Sequence, residues 1–458
     1  MPHADIIAVI LAAGKGTRMH SDRPKALQTL LGETMLGCVA HTAAQVAGRV
    51  LTVVGHGHEL VRKTHPELAE GFVLQAEQKG TGHALQTAWE QVRASGARHC
   101  LVLNADAPLV TTADLDELLG AAREGSEIAF LTTVLPDAGS FGRVLRGEDG
   151  AVRGIVEAKD FDPARHGADT GEVNTGIFCL AVGAVEEALF SLTSANRAGE
   201  YYITDLVAHG VVSGLKVHAL KREAALELLG VNSPLELSQA EERLRSATAR
   251  RLLEAGVILH HPESVVVGPR AQVAPGAELT GPCRVLGASS IGRGAKLGAF
   301  CQVTDSVLEP GCEVREHCHL EGAQLSPGSI AGPYARLRPG AQVQQNARVG
   351  NFVEMKKSVL GPGAKASHLT YLGDAQVGAG ANIGAGTITC NYDGVNKHVT
   401  QIGPGAFIGS NTALVAPVRV GENALVGAGS VITKNVPDQA LGIARARQSN
   451  LEGRGKKS

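Results

Sequence analysis

From Val267 onward an aliphatic residue returns at every sixth position: Val267, Val273, Leu279, Val285, Ile291, Leu297 and Val303. The phase then slips and resumes at Leu308, Val314 and Leu320, at Leu337, Val343 and Val349, at Val377 and Ile383, and at Ile402, Ile408, Leu414, Val420 and Val426. Gly often follows the aliphatic residue and a small residue stands four places after it, as in Ile291-Gly292-Arg293-Gly294-Ala295. A period of six fits neither an amphipathic helix nor an alternating strand. It fits the hexapeptide repeat of a parallel β-helix. Each hexapeptide then forms one side of a triangular coil, its aliphatic residue inward and its small residues at the corner. At three hexapeptides per coil, the roughly 190 residues after Val265 make about ten coils rising ~4.8 Å each, a rod on the order of 50 Å long.

The pattern is interrupted once by polar residues. Between Thr387 and Gln401 lies Ile388-Thr389-Cys390-Asn391-Tyr392-Asp393-Gly394-Val395-Asn396-Lys397-His398. Such an insertion is expected to leave the coil as a loop on one face, where repeat proteins often bind their ligands.

The first half has a different rhythm. Apolar runs at Ile6 to Leu11, Arg49 to Gly55 and Cys100 to Leu103 read as buried strands, with helical stretches between them. This alternation predicts an α/β domain with a mainly parallel sheet, whose ligands bind outside the carboxyl ends of the strands. Ala12 to Met19 reads as a glycine-rich loop leading towards a helix. Between the halves, Leu235, Ala240, Leu244, Ala247, Leu252 and Leu253 recur amid charged residues. They predict a linking helix with Pro234 in its first turn and Gly256 at its end. The expected domains are 1–234, a helical linker over 235–255, and 256–458.

Composition narrows the class. The 458 residues hold 43 Lys plus Arg against 45 Asp plus Glu, so no global basic field points to nucleic acid. The 57 glycines and 3% aromatics are unusual, but 44% hydrophobic residues rule against disorder. Corners of a narrow coil account for both. The N-terminus has no basic leader, and its apolar run is too short to span a bilayer. A cytoplasmic protein with no membrane partner is expected. The eight cysteines are scattered without a CxxC pair, as befits reduced, mostly buried thiols.

Candidate chemistry begins at Leu11-Ala12-Ala13-Gly14-Lys15-Gly16-Thr17-Arg18-Met19, followed by Pro24-Lys25. A Rossmann fingerprint needs glycine at Met19, and a Walker loop needs Lys directly after its second Gly and then Ser or Thr. Neither is present. The segment instead resembles the signature of the sugar-phosphate nucleotidyltransferases. Glycines let backbone N–H groups approach phosphate, and Arg18, Lys15 and Lys25 supply neutralising charge. Gln75-Ala76-Glu77-Gln78-Lys79-Gly80-Thr81-Gly82-His83-Ala84 resembles the base-recognition segment of that family, where side-chain amides and backbone groups can read a uracil edge. Asp106 follows the strand Leu101-Val102-Leu103, where a hard cation would sit; taken alone it could equally be a turn or cap before Pro108. Phe141-Gly142-Arg143, Gly154-Ile155-Val156-Glu157, Val173-Asn174-Thr175-Gly176 and Gly230-Val231-Asn232 follow in family order.

Nearly end to end, the chain resembles the bifunctional bacterial enzymes that join glucosamine-1-phosphate N-acetyltransferase to N-acetylglucosamine-1-phosphate uridylyltransferase. The most specific stretches are Gly350 to Lys357, Ser367 to Asp374, and Asn382 to Thr387 through Asn391 to Gly394. The resemblance implies a Rossmann-like nucleotidyltransferase domain with a mixed sheet, the linking helix, and a left-handed β-helix that assembles as a homotrimer. It implies UTP, acetyl-CoA, glucosamine-1-phosphate and N-acetylglucosamine-1-phosphate as substrates, Mg²⁺ as cofactor, and a product that feeds peptidoglycan, lipopolysaccharide or other envelope precursors. Leu11, Ala12, Ala13, Gly14, Lys25, Gln75, Gly80, Thr81, Asn104, Gly142, Glu157, Asn174 and Asn232 would hold UTP and sugar. Arg18 and Lys25 would act on the phosphates, and Asp106 and Asn232 would hold Mg²⁺. In the second half His368 would be the general base, since imidazole titrates near neutrality and an amine must lose a proton to attack a thioester. Arg338, Lys356, Tyr371 and Asn382 would grip the sugar phosphate, and Ala385, Asn391, Tyr392, Ser410, Ala428 and Arg445 would line the acetyl-CoA site.

One departure stands out. The family commonly has Tyr-Gly before the metal aspartate, and this chain has Asn104-Ala105. One rival reading is a single-activity nucleotidyltransferase with a catalytically silent β-helix, and the acetyl-site motifs count against it. The other is a scaffold that keeps both folds, and the intact glycine loop with Arg18, Lys25 and Asp106 counts against that. His317-Cys318-His319 is too closely spaced for a convincing metal site, and Arg454, Lys456 and Lys457 read as a solvated terminus.

Overall fold

The computed structural model describes residues 2–452 and 454–455. Internal contacts divide it into two units, Met1–Leu244 and Arg245–Ser458.

The first unit is built on a sheet whose strands run, edge to edge, Val217–Glu223, Ile128–Val134, Glu172–Ala181, His99–Asn104, His3–Ala12, Ala47–Val54 and Phe72–Leu74. Glu172–Ala181 is antiparallel to both neighbours, and the other pairs along this path are parallel. A hairpin of Arg143–Arg146 and Val152–Val156 adds to it through Val173. The strand His3–Ala12 is apolar at successive positions because both its faces are covered. Ile6, Ala8 and Ile10 pack with Leu36, Val39 and Leu115 on one side. Ile7 and Val9 pack with Leu85, Trp89 and Leu189 on the other. Trp89, the only tryptophan of the chain, is 1% exposed, and its indole nitrogen has no hydrogen-bond partner. The helices Met35–Val46 and Thr112–Arg123 are capped by side chains: Thr34 accepts from Gly37 N, and Thr111 and Asp114 form a capping box.

The glycine loop leads towards a helix by way of two short turns. One, Thr17–Met19, follows it, and a second, Lys25–Leu27, precedes the helix Met35–Val46. The linking helix spans Pro234–Glu254 and is followed by Gly256 at φ 85°. The division into units falls inside it. Ala240 packs with Leu30, Met35 and Val231, whereas Ala249 and Leu252 join the core of the second unit.

The second unit is the triangular coil that the hexad pattern predicts. Three parallel sheets of eleven, ten and nine strands form its sides. Inward residues stack in files, as in Val267, Val285, Val303, Leu320, Leu337, Met355 and Leu372, each paired in register with the next. The phase slip after Val303 is thereby absorbed. This is the hexapeptide β-helix in its left-handed form. Many buried residues near its corners are small, and serine hydroxyls there turn to backbone: Ser289 donates to Leu286 O (2.6 Å) and Ser358 to Leu372 O (2.9 Å).

The rings are outside. Phe300, His317, Tyr334 and Phe352 occupy the same corner in consecutive coils, at φ 55–60°, and stack with centroids 4.7, 4.7 and 5.4 Å apart. Cys318 points inward at 2% exposure while His317 joins this ladder, so the three residues 317–319 do not converge. Among the described residues no cluster of three His, Cys, Asp or Glu side chains is placed to hold a metal. Seven cysteines are buried and Cys390 is partly so; none is bridged. Burial pushes the Cys283 and Cys312 thiols up to about 12.

The polar insertion is shorter than expected. Ile388–Cys390 is a regular strand of the coil, paired through Tyr371↔Ile388 and Cys390↔Val415. The excursion starts at Asn391 and ends before the strand Thr400–Ile402. Alternation explains the difference: Thr389 faces inward at 1% exposure, its hydroxyl bonded to Gly373.

Candidate functional site

In the first unit the carboxyl ends of His3–Ala12 and His99–Asn104 open onto a cleft of about 660 Å³. Leu11, Ala12, Ala13, Gly14, Arg18, Lys25, Gln75, Gly80, Thr81, Asn104, Asp106 and Asn232 all line it. Gly16 is at φ 62°, and any Cβ there would collide with the Lys25 side chain. A glycine is therefore required for Lys25 to lie across the loop. Lys25 Nζ pairs with Asp106 Oδ2 and donates to Asn232 Oδ1 (2.7 Å), which also accepts from Arg18 (2.9 Å). Asn232 presents that oxygen because its Nδ2 is tied to Gly230 O (2.8 Å), and the segment is docked by Val231 N on Asp106 O (2.8 Å). A Cβ at Gly230 would come within 2.9 Å of Asp106 Oδ1. Two hard oxygens from different segments thus face one positive charge, a donor set that suits a divalent cation.

Gly142, Glu157 and Asn174 do not line that cleft. They form a neighbouring cluster, with Asn174 N donating to Gly142 O (2.9 Å). Glu157 accepts from Thr204 Oγ1 (2.8 Å). Burial raises its pKa above the usual carboxylate value against that hydrogen bond, helped by the charges of Asp205, Asp160 and Glu200. The Asn104-Ala105 departure is accommodated locally. Ala105 is buried and bonds Leu11 O (3.1 Å), and the Asn104 amide lies where a Cβ at position 176 would be, which Gly176 lacks. Sequence reasoning missed Glu200, which lines the cleft, and Ser140, which accepts weakly from Arg18 (3.4 Å). Ser140 directly precedes Phe141-Gly142-Arg143, a signal that could have found it, whereas Glu200 lies outside the segments singled out from sequence.

In the second unit His368 ends the strand Lys365–His368, and its Nδ1 lies 2.7 Å from Asn351 Oδ1 in the coil before. Ala385, Ser410 and Ala428 occupy the corresponding place in the coils after, each just before a left-handed corner: Gly386, Asn411 and Gly429. Their backbones link the file, with Asn411 N on Ala385 O and Gly429 N on Ser410 O. Arg445 closes it by donating to Ala428 O (2.9 Å). Asn382 lies in the coil strand that pairs with Lys365. Lys456 and Lys457 lie outside the described residues.

A cationic group gathers apart from this file. Arg338 is held by Glu354 (2.8 Å). The Lys356 ammonium has its pKa lowered by Lys397 first, then by Arg338, burial and Lys357. Tyr371 stands beside it, in the strand paired with Glu354–Lys356. Lys397 comes from the polar excursion and was not singled out from sequence, because nothing in the linear order places it against Lys356. The excursion is shaped by Asp393, which accepts from Val395 N (2.8 Å), Asn396 N (2.6 Å) and His398 Nε2 (2.7 Å), bonds that hold its carboxyl far below the usual range. Asn391 donates to Asp374 (2.5 Å), and the Tyr392 hydroxyl to Gly394 O (2.5 Å). No bond joins the cationic group to the His368 file within the chain, among the described residues.

Residues 8–143 match the family model of the MobA-like NTP transferase domain, and residues 400–434 match that of the bacterial transferase hexapeptide (six repeats). The chain is 56% identical over 445 residues to a protein named Bifunctional protein GlmU from Nitratidesulfovibrio vulgaris (strain DP4), with 97% of each chain covered. Proteins of the same name from Oleidesulfovibrio alaskensis and Bordetella parapertussis are 54% and 45% identical, again over 97% of each chain.

Proposed function

The chain belongs to the GlmU family of bifunctional enzymes, and from that membership we propose how its two units divide the synthesis of UDP-N-acetylglucosamine. It is a nucleotidyltransferase and an acyltransferase in one polypeptide. The second unit moves the acetyl group of acetyl-CoA to the amine of glucosamine-1-phosphate. The first then joins N-acetylglucosamine-1-phosphate to UTP, releasing pyrophosphate and giving a precursor of the cell envelope. The observation that carries the reading is the meeting of Lys25, Asp106, Asn232 and Arg18 at one point of a glycine-lined cleft.

For uridylyl transfer, a phosphate oxygen of the sugar attacks the α-phosphorus of UTP in line, and pyrophosphate departs. An ionised phosphate needs no general base, so the protein positions it and neutralises charge. Arg18 and Lys25 take that role. When bound, a divalent cation, Mg²⁺ in this proposal, would lie on Asp106 and Asn232 and screen the triphosphate. Leu11 to Gly14, Gln75, Gly80, Thr81 and Asn104 hold the nucleotide. Gly142, Glu157 and Asn174, grouped beside the cleft, take the sugar.

For acetyl transfer, the substrate ammonium first gives one proton to water. The amine lone pair then attacks the thioester carbon, His368 Nε2 takes the second proton as the C–N bond forms, and the C–S bond breaks to release CoA as its thiolate. Asn351, accepting from Nδ1–H, keeps the proton off the working nitrogen. Arg338, Lys356 and Lys397, with Tyr371 and Asn382, hold the sugar phosphate. Ala385, Asn391, Tyr392, Ser410, Ala428 and Arg445 line the place for acetyl-CoA. The two groups lie apart on one coil, which supports a homotrimer through the β-helix as the form in which they work together.

Incubation with glucosamine-1-phosphate, acetyl-CoA, UTP and Mg²⁺, omitting each in turn, tests the scheme. Removing the amino sugar or acetyl-CoA should abolish both products, whereas removing UTP or Mg²⁺ should abolish the nucleotide sugar and leave N-acetylglucosamine-1-phosphate to accumulate. His368→Ala should lower acetyl transfer by about 10² to 10⁴ and leave uridylyl transfer intact, with Asp106→Ala doing the reverse. Equal damage to both activities by either folded variant would overturn the two-site assignment.

A further inference from the structure

Gln75 is 2% exposed and lines the cleft, but it is held from behind. Its Nε2 donates to Gly80 O at 3.1 Å and lies 2.9 Å from His83 Nδ1, on the first turn of the helix Thr81–Ala94. Both amide protons are therefore engaged inside the protein. Oε1 remains as the polar atom that the side chain can offer the cleft. For this, His83 must accept at Nδ1, with its ring proton on Nε2.

The consequence is chemical. Uracil presents an N3–H donor where cytosine presents an N3 lone pair. An amide fixed with its oxygen outward accepts from the first and repels the second, and the reversed amide would do the opposite. Discrimination of this kind is large because a mismatch leaves buried polar groups unpaired.

We propose that His83 is a positioning residue for base selectivity: by accepting from Gln75 it locks the amide in the orientation that admits UTP and rejects CTP. The proposal rests on the reading of Gln75 as the residue that meets the base. Gly80 O holds one amide proton by itself, so removing the imidazole should weaken selectivity rather than abolish it.

The test is kcat/KM for UTP and CTP with N-acetylglucosamine-1-phosphate, measured on the full chain. His83→Leu, which cannot accept, should cut the UTP/CTP ratio by about tenfold or more, while acetyl transfer by the same preparation stays unchanged. His83→Asn, whose Oδ1 falls near the place of Nδ1, should bring the ratio back to within about threefold of the unaltered enzyme. A ratio unmoved by His83→Leu, or as low in His83→Asn as in His83→Leu, overturns the proposal. If uridylyl transfer is lost in His83→Leu, His83→Ala and direct titration with UTP and CTP supply the ratio. Gln75→Ala separates the two ideas. A collapsed ratio there beside an unmoved one in His83→Leu rejects His83 alone, whereas an unmoved ratio in Gln75→Ala rejects the base-reading role of Gln75 itself.

Discussion

The left-handed corner carries a cost of ~1 kcal/mol or more for any residue with a side chain. Phe300, His317, Tyr334 and Phe352 all accept it. Each parallel ring contact returns about 0.5–1.5 kcal/mol, so the ladder offsets the strain that its own backbone imposes. Tyr334, stacked on both sides, makes this measurable. Tyr334→Gly should stay within about 1 kcal/mol of the unaltered protein, because it relieves the corner while losing the ring contacts. Tyr334→Ala keeps the strain and loses the contacts, so its denaturant midpoint should fall further, the reverse of the usual preference for Ala over Gly. Arg146 and Glu172 illustrate a different balance. Burial would raise the Glu172 carboxyl, but Arg146 at 2.7–2.8 Å and Thr132 at 2.8 Å bring it below its ordinary value. A depressed carboxyl stabilises the fold above its unfolded pKa of ~4.3 and loses that contribution as pH falls through the folded value. Arg146→Ala should therefore cost about 1–2 kcal/mol near pH 7, less than a fully buried pair because the guanidinium is partly in solvent. The gap between the two urea midpoints should narrow on acidification as Glu172 takes up its proton.

At the scale of elements, what could be read from sequence and what could not divide along physical lines. The coil was legible because each side repeats one demand, an aliphatic residue inward and a small one at the corner. The linear order therefore already supplies the file from Val267 to Leu337, while Met355 and Leu372 fall in a gap of the pattern and are joined to it by strand pairing. The strands at Ile6 and Cys100 were legible as unbroken apolar runs, since both faces of the sheet are covered. The end of the glycine loop was not, because a turn of three residues, Thr17–Met19, is too short to leave a periodic pattern. The start of the excursion was misplaced by three residues, Ile388 to Cys390, whose inward Thr389 looks polar in the sequence but spends its hydroxyl on backbone. Within the first unit, Leu11 to Gly16 and Arg18 of the glycine loop, with Lys25, Gln75, Gly80, Thr81, Asn104, Asp106 and Asn232, line one cleft, while Gly142, Glu157 and Asn174 group outside its lining. Lys397, Glu200 and Asn351 were missed because only the fold brings them to Lys356, the cleft and His368. The excursion is closed by its own bonds around Asp393, so it should be separable from the coil. Replacing Asn391 to His398 by two glycines should leave far-UV circular dichroism and uridylyl transfer unchanged and abolish acetyl transfer. Loss of the coil's strand signal would mean that the loop is structural.

For the molecule as a whole, a formal charge of −2 conceals two local concentrations of positive charge, one at Arg18 and Lys25 and one at Arg338, Lys356 and Lys397. Both belong where a phosphate is expected. Each unit also closes its own core: the residues packed around Val267 to Val436 are all from the second, and those on the two faces of His3–Ala12 are all from the first. No helix among the described residues is long and apolar enough to cross a membrane.

Trp89, sealed in one of those cores with its indole nitrogen unpaired, gives the chain an internal optical reporter. Its emission should lie to the blue in the folded protein and move to the red when, and only when, the first unit opens. On heating, that red shift should follow the loss of uridylyl transfer, whatever the course of acetyl transfer. Emission that tracked acetyl transfer instead would mean that the units do not melt as separate cores. A colour change from one ring can thus assign any stabilising ligand or substitution to the half of the enzyme it acts on.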